Sequence, residues 1–349
     1  MNFQSEIINW YSINKRDLPW RKTTDAYVIW LSEVILQQTR VEQGMPYFYK
    51  FLENFPTVGD FAEATETQIL KLWQGLGYYS RGRNMLHTAR EVMTVHGGVF
   101  PVAYNDLIKL KGIGEYTAAA IASFSSGEIQ AVLDGNVFRV LARYFGIYSP
   151  INSTLGKKLF LELARNLVEK EDASVYNQAI MEFGALLCKP KNPLCQDCPL
   201  QLDCVAYQTN AIAELPVKIK KLVKKTRYFN YFVCTTDDKI LLNHRPAGDI
   251  WQQMYDFPMI ETDAEMDVNN KDFTQIVRQN FGSDVKISLP TKIKHILTHQ
   301  IIYAQFFVLD NYIINFNSNT TNIWVNWSEL DHLPQPKLIV NYLFSFSTK

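Results

Sequence analysis

The sequence predicts an α-helical domain over residues 1–205, built around a helix–glycine hairpin–helix and closed by a cysteine-rich loop, and an α+β domain over residues 229–349. Three observations carry this. At about 150 residues per domain, 349 residues leave room for two hydrophobic cores. Up to about residue 205, apolar side chains recur at three- and four-residue spacing, as at Ile29, Trp30, Val34 and Val41, which is a helical period. Beyond residue 228, the runs YFNYFVC, KILLNH and IIYAQFFVL are rich in aromatic and β-branched residues and are separated by polar turns, with one helix-like stretch over 272–281.

Composition narrows the class. With 47% hydrophobic and 20% charged residues the chain is an ordinary globular one, neither disordered nor fibrous. Basic and acidic residues number 35 each, so bulk charge does not point to a polyanionic partner. No run approaches the roughly 18 apolar residues of a membrane span. The start, MNFQSEIINWYSINKRD, enters an amphipathic pattern without the plan of a signal peptide, so export is not expected. Four of five cysteines crowd between Cys188 and Cys204, a ligand set rather than a disulfide framework, which fits a reducing interior, cytoplasmic in a bacterium.

Taken in chain order, the first chemical signal is Glu33 in WLSEVILQQTR. Its helical neighbours Ile29, Trp30 and Leu36 leave the carboxyl poorly solvated, which raises its pKa and suits a general acid. Next, Leu110-Lys-Gly112-Ile-Gly114-Glu-Tyr116 sits between the helical pattern YNDLIKL and an alanine-rich one. Two glycines let backbone N–H groups approach an anion, and the second helix aims its positive end there, so a DNA phosphate fits; a plain helix turn would share the glycine content. Asp134 precedes a helix marked by Val137, Val140, Leu141 and Tyr144, so it is expected as an N-cap whose carboxylate stays ionised. A raised acid with a stabilised anion is the pair that cleavage of a glycosidic bond needs, although a helix-surface acid and a simple cap would look alike.

The array Cys188-x6-Cys195-x2-Cys198-x5-Cys204 implies a shared metal. Structural zinc usually takes two close cysteine pairs, whereas one tight pair with longer arms also suits an iron–sulfur cubane, and spacing leaves both open. The segment 206–228 reads as a basic interdomain linker. Within it Lys218, Lys220, Lys221, Lys224, Lys225 and Arg227 occur with no acid in PVKIKKLVKKTR, either a solvated tether or a strap against a phosphate backbone.

Together these segments resemble the MutY family of A/G-specific adenine DNA glycosylases. The resemblance rests on LPWR at 18–21, WLSEVILQQTRV at 30–41, LWQGLGYYSRGRN at 72–84, LKGIGEYTAA, LDGNVFRVLAR at 133–143, NQAIMEFGA at 177–185 and the cysteine array. It implies a helix-hairpin-helix glycosylase core with a [4Fe–4S] cluster on Cys188, Cys195, Cys198 and Cys204. It also implies a monomeric base-excision enzyme that hydrolyses adenine from double-stranded DNA opposite 8-oxoguanine or guanine, nucleoid-associated in the bacterial cytoplasm.

By the same resemblance, Glu33 protonates adenine N7, Asp134 faces the oxocarbenium-like sugar, and Tyr116 and Asn136 assist. Trp20, Arg21, Leu36 and Gln178 match adenine-pocket positions. Gln38 and Tyr78 match the wedge that fills the gap when a nucleotide is flipped, and Gly112 and Gly114 match the hairpin on the DNA backbone. Relatives that also cut the strand carry lysine where this chain has Tyr116, so a monofunctional enzyme is expected rather than an endonuclease III-like lyase. The C-terminal half resembles the family's Nudix-like 8-oxoguanine recognition domain through NHRPAGDIWQQMYDFP at 243–258. Its reading loop is Leu297-Thr298-His299, where relatives often have Phe-Ser-His. DFTQIVRQNF lacks the glutamates of a working Nudix hydrolase. From a different class, a non-catalytic DNA-binding protein with a metal cluster is the alternative.

Overall fold

The computed structural model describes residues 2–168, 172–219, 224–313 and 321–347. Helices come first along the chain: α1 (Phe3–Asn14), α2 (Ala26–Ile35), α3 (Val41–Asn54), α4 (Val58–Glu63), α5 (Glu66–Leu72) and α6 (Ser80–Val95). They continue with α7 (Tyr104–Leu107), α8 (Glu115–Ser126), α9 (Gly135–Phe145), α10 (Thr154–Val168), α11 (Ala173–Leu186) and α12 (Val205–Gln208). The later part carries β1 (Lys225–Val233), β2 (Lys239–His244), β3 (Tyr255–Asp256), β4 (Met259–Thr262), α13 (Lys271–Phe281), β5 (Lys286–Ile287), β6 (Thr291–Ile296), β7 (Gln300–Asp310), β8 (Asn322–Asn326) and α14 (Lys337–Ser347).

Two compact units emerge, Met1–Glu63 with Asn84–Lys220, and Ala64–Arg83 with Lys221–Lys349. In the first, α1 and α9 pack on α11, and α2 packs on α3 and α8. Small side chains make the last contact possible, because Ala118, Ala119, Ala120 and Ala122 on α8 are all buried. One core gathers Ile7, Val140, Leu141, Phe160, Ile180 and Phe183. Around α2 a second, aromatic region forms, with Trp30 against Phe61 at 5.5 Å and Phe100 at 5.0 Å between ring centres. Side-chain caps fix where the helices begin: Asp25 accepts from Tyr27 N at 2.8 Å at the start of α2, and Asp172 from Val175 N at 3.0 Å at the start of α11.

The second unit is built on a sheet in the order β4-β1-β7-β5, with β6 also on β7, and a smaller sheet β3-β2-β8. β1 and β7 run parallel, while β4 and β6 pair antiparallel to them. α13 covers one sheet face through Phe273, Val277 and Phe281, which cluster with Phe232 and Phe307. On the other face Tyr231 stacks on Phe306 at 5.0 Å and Phe306 on Tyr342 of α14 at 4.0 Å.

The basic segment 206–228 departs from the tether expected of it. Val205–Gln208 is helical, and strand β1 already starts at Lys225. Arg227 is buried and forms a fork with Glu261 and Asp249, at 2.6 and 2.8 Å, so it cannot serve as a phosphate strap. Those acids lie downstream in the fold, which is why the segment looked unpaired in sequence. Lys220 and Lys221 lie outside the described residues. Residues 64–83 also depart from a split near 205, since they cluster with the second unit.

Candidate active site

The first unit holds a broad cleft whose walls include Trp20, Arg21, Glu33, Leu36, Gln38, Gly112, Gly114, Tyr116, Asp134 and Asn136. A smaller cavity beside Glu33 is lined by Trp20, Arg21, Gln178, Phe124 and Met181. Ten of the residues singled out in sequence thus share one cleft, with Gln178 at the small cavity that adjoins it.

Glu33 sits on α2 and is only 8% exposed. Burial pushes its pKa up to about 7, and the Asp134 carboxylate adds to the rise; a hydrogen bond from Tyr116 and the Arg21 charge oppose it. Tyr116 stands in the first turn of α8, and its Oη donates to Glu33 Oε2 over 2.7 Å. A carboxyl poised near neutrality in a cleft is chemically fit to donate a proton.

Asp134 is the N-cap of α9, and its Oδ1 accepts from Asn136 N at 2.8 Å and Val137 N at 2.7 Å. Its Oδ2 accepts from Asn136 Nδ2 at 2.6 Å. The cap is as expected. Desolvation outweighs these hydrogen bonds and moves the Asp134 pKa above the ordinary carboxylate value, because protein surrounds the group on sides that the cap does not reach. Next to this cap, α11 approaches α9 so closely that a Cβ on Gly184 would stand 2.7 Å from the Asn136 Cβ.

The hairpin turn lies between α7, a single turn rather than the longer helix expected, and α8. Gly112 has φ +82°, and a Cβ there would sit 2.7 Å from that of Asn84, so glycine is required on both counts. Gly114 is the N-cap of α8, exposed and with open space where a side chain would be. Gln38 is exposed with φ +57°, in the turn after α2. Arg21 does not face the cavity unpaired: its guanidinium is bound by Glu182 at 2.8 and 3.0 Å. Gln178 Oε1 accepts from Tyr11 Oη at 3.1 Å.

The four clustered cysteines line one apolar cavity together with Arg143, Leu194 and Ile212. Arg143 Nη1 donates to Cys188 Sγ at 3.4 Å, and the Cys204 thiol faces the Arg143 carbonyl at 3.6 Å. Burial pushes the Cys198 thiol up to about 12. Among the described residues no three His, Cys, Asp or Glu side chains converge on a single metal-ion position. Four soft thiols lining one cavity are a donor set that suits an iron–sulfur group.

In the second unit, Leu297, Thr298 and His299 form the tight turn between β6 and β7, with Leu297 N donating to Gln300 O at 2.9 Å. Thr298 and His299 are exposed. The Thr298 hydroxyl is hydrogen-bonded to Tyr78 Oη, so the segment 64–83 brings Tyr78, at φ +48°, to this turn.

Two family profiles match the chain: the HhH-GPD superfamily of base excision DNA repair proteins over residues 31–165, and the NUDIX domain over residues 230–344. The adenine DNA glycosylase of Buchnera aphidicola subsp. Baizongia pistaciae is 34% identical over 93% of this chain and 91% of its own length. That of Buchnera aphidicola subsp. Schizaphis graminum is 32% identical over 99% and 98%. The chain belongs to the adenine DNA glycosylase family. Among solved structures, that of a thermostable thymine-DNA glycosylase is 31% identical, with a TM-score of 0.55 over 59% of this chain and 95% of that one.

In this family member, sequence reasoning passed over two side chains at the cleft, Glu182 and Arg16, and a third, Arg139, that binds Asn136. Glu182 is 1% exposed and is gripped by Arg16 and Arg21, which hold its pKa down to about 2. A carboxylate flanked by Ile180, Met181 and Phe183 carries the same burial signal as Glu33. Arg139 is also buried; its Nη2 donates to Asn136 Oδ1 at 2.8 Å and its Nε to Cys188 O at 2.7 Å, joining the cysteine loop to the cap of α9.

Proposed function

We propose that this chain hydrolyses adenine from duplex DNA where it stands opposite 8-oxoguanine or guanine, without cutting the strand. That it is a base-excision DNA glycosylase acting on mismatched adenine follows from its family. The observation that carries the chemistry is Glu33: buried, with a pKa of about 7, and coupled to a second carboxylate across the same cleft.

Duplex adenine is out of reach until its nucleotide is rotated from the stack, at a cost of a few kcal/mol. Trp20, Arg21 and Gln178 line the small cavity beside Glu33, which is assigned to the base. The neutral Glu33 carboxyl delivers its proton to adenine N7, so the base leaves uncharged. Asp134 supplies the negative charge opposite the sugar as C1′ becomes cationic, and Asn136 Nδ2 keeps that carboxylate turned toward the cleft. Water then adds at C1′ and gives up a proton, which restores the neutral Glu33 carboxyl and leaves an abasic site. A lyase step would need an amine nucleophile at C1′, and a phenol stands at the hairpin position beside Glu33.

Cys188, Cys195, Cys198 and Cys204 would hold a [4Fe–4S] cluster. When bound, it would cross-link the loop and make thiolates of thiols that burial otherwise keeps protonated. That loop also brings Lys189 and Lys191 to the rim of the cleft, where they suit DNA phosphates. The turn at Leu297, Thr298 and His299 is assigned to the base opposite adenine, and the enzyme is assigned as a monomer.

The test is a cleavage assay on duplexes carrying adenine opposite 8-oxoguanine, guanine, cytosine and thymine, with and without alkali. Strand breaks at the first two pairs that appear only after alkali are expected. Breaks without alkali, trapped as a covalent adduct by borohydride, would replace hydrolysis by a lyase mechanism.

A further inference from the structure

Glu182 accepts hydrogen bonds from two arginines at once. Arg16 donates through its backbone N and Nε to Oε1, both at 2.9 Å, and through Nη2 to Oε2 at 2.7 Å. Arg21 donates through Nη1 to Oε1 at 3.0 Å and Nη2 to Oε2 at 2.8 Å, and its Nη1 also reaches Arg16 O at 3.1 Å. Burying a carboxylate with two guanidinium groups is an expensive way to pack a helix, and apolar side chains of the same volume often serve stability as well or better. What the arrangement does provide is a fixed place for Arg21. That side chain borders the small cavity together with Glu33, and its guanidinium also lies over the Tyr11 ring, 5.5 Å from its centre.

We infer that Glu182 is a positioning residue for base excision: it holds Arg21 in a single orientation at the base cavity and offsets part of its charge beside Glu33. This rests on the adenine-excision reading. The groups facing Glu33 are Arg21 from the turn Pro19–Arg21, Tyr116 from α8 and Asp134 from the cap of α9. Those facing Glu182 are Arg16, Arg21 and, through its ring and hydroxyl, Tyr11. Arg21 favours the ionised form of Glu33, so an uncompensated Arg21 would draw the proton off the general acid. Glu182 opposes that.

The experiment is single-turnover cleavage by the full chain on a duplex with adenine opposite 8-oxoguanine, as a function of pH. Glu182→Gln is expected to slow cleavage about 10- to 100-fold, as a misplaced binding group does, and to move the alkaline limb to lower pH. Arg21→Gln should also slow cleavage, and the double variant should be no slower than Arg21→Gln, since Glu182 acts through Arg21. Losses that multiply, or an alkaline limb that does not move, would make Glu182 a fold residue only. If Glu182→Gln does not fold, Glu182→Asp keeps the charge but withdraws it by one methylene; a wild-type rate and profile there would overturn the assignment. A wild-type chain that leaves adenine in place fails the glycosylase reading, whereas a cleaving wild type with an indifferent Glu182 variant fails only this inference.

Discussion

Tyr116 Oη donates to Glu33 Oε2 over 2.7 Å, and this bond pulls the Glu33 pKa down while burial and Asp134 push it up. If Glu33 is the general acid, the balance near 7 has a direct kinetic consequence, because the acid must be protonated to act. Cleavage is expected to level off below pH 7 and to fall about tenfold per pH unit above it. Tyr116→Phe removes a bond that favours the charged form, so the alkaline limb should move to higher pH. A limb that stays in place or moves down would mean that the bond does not set the acid.

Asp134→Asn keeps the cap of α9 through its side-chain oxygen but removes the charge proposed to face the sugar. Adenine release should fall about 10²- to 10³-fold, the usual loss for one electrostatic contact to a transition state. Duplex affinity and melting temperature should change little. Glu33→Gln should be at least as slow, because the amide has no acidic proton. Single-turnover rates beside a binding titration check both, and near-normal cleavage by either variant would assign that role to another group.

Two hairpin glycines separate stability from binding. Gly112→Ala places a Cβ at φ +82° and within 2.7 Å of the Asn84 Cβ, so it should cost about 2 kcal/mol or more in a thermal melt. Gly114 has ordinary extended backbone and empty space beside it, so Gly114→Ala should leave the melt within about 0.5 kcal/mol. It should nevertheless weaken duplex binding, since the added methyl occupies the approach to the first N–H groups of α8. Equal binding by Gly114→Ala and wild type would remove the phosphate from this turn.

What the sequence made legible was what neighbours in the chain control. Glu33 could be read as buried because Ile29, Trp30 and Leu36 share its helix face, and Asp134 as a cap because its helix starts at the next residue. The rise in the Asp134 pKa could not be read in the same way, because desolvation depends on how the folded protein covers the group and not on its neighbours in the chain. Glu182 and its arginines are separated by 166 and 161 residues, so no local pattern couples them. For the same reason the run ending at Arg227 looked like a free basic strap: its partners Asp249 and Glu261 reach it only once the sheet is formed.

The assignment of the turn at Leu297, Thr298 and His299 to the base opposite adenine makes discrimination of that base testable in the second unit. Deleting residues 229–349 would strip partners from residues 64–83, since Lys71 donates to Leu333 O and Gln74 accepts from Gln335 N, so truncation mixes damage with lost recognition. The cleaner variant is Thr298→Ala with His299→Ala, because both side chains are exposed on the turn and neither is part of the core. Polar contacts to a base edge contribute roughly 1 to 3 kcal/mol each. Loss of one such contact should therefore reduce the preference for 8-oxoguanine over guanine by about 5- to 150-fold, while cleavage opposite guanine stays near its wild-type rate. Tyr78→Phe, which removes only the hydroxyl that meets Thr298, should give a smaller loss in the same direction. If the double variant retained the full preference, the turn would not be the reader, and the lesion would have to be recognised by other residues.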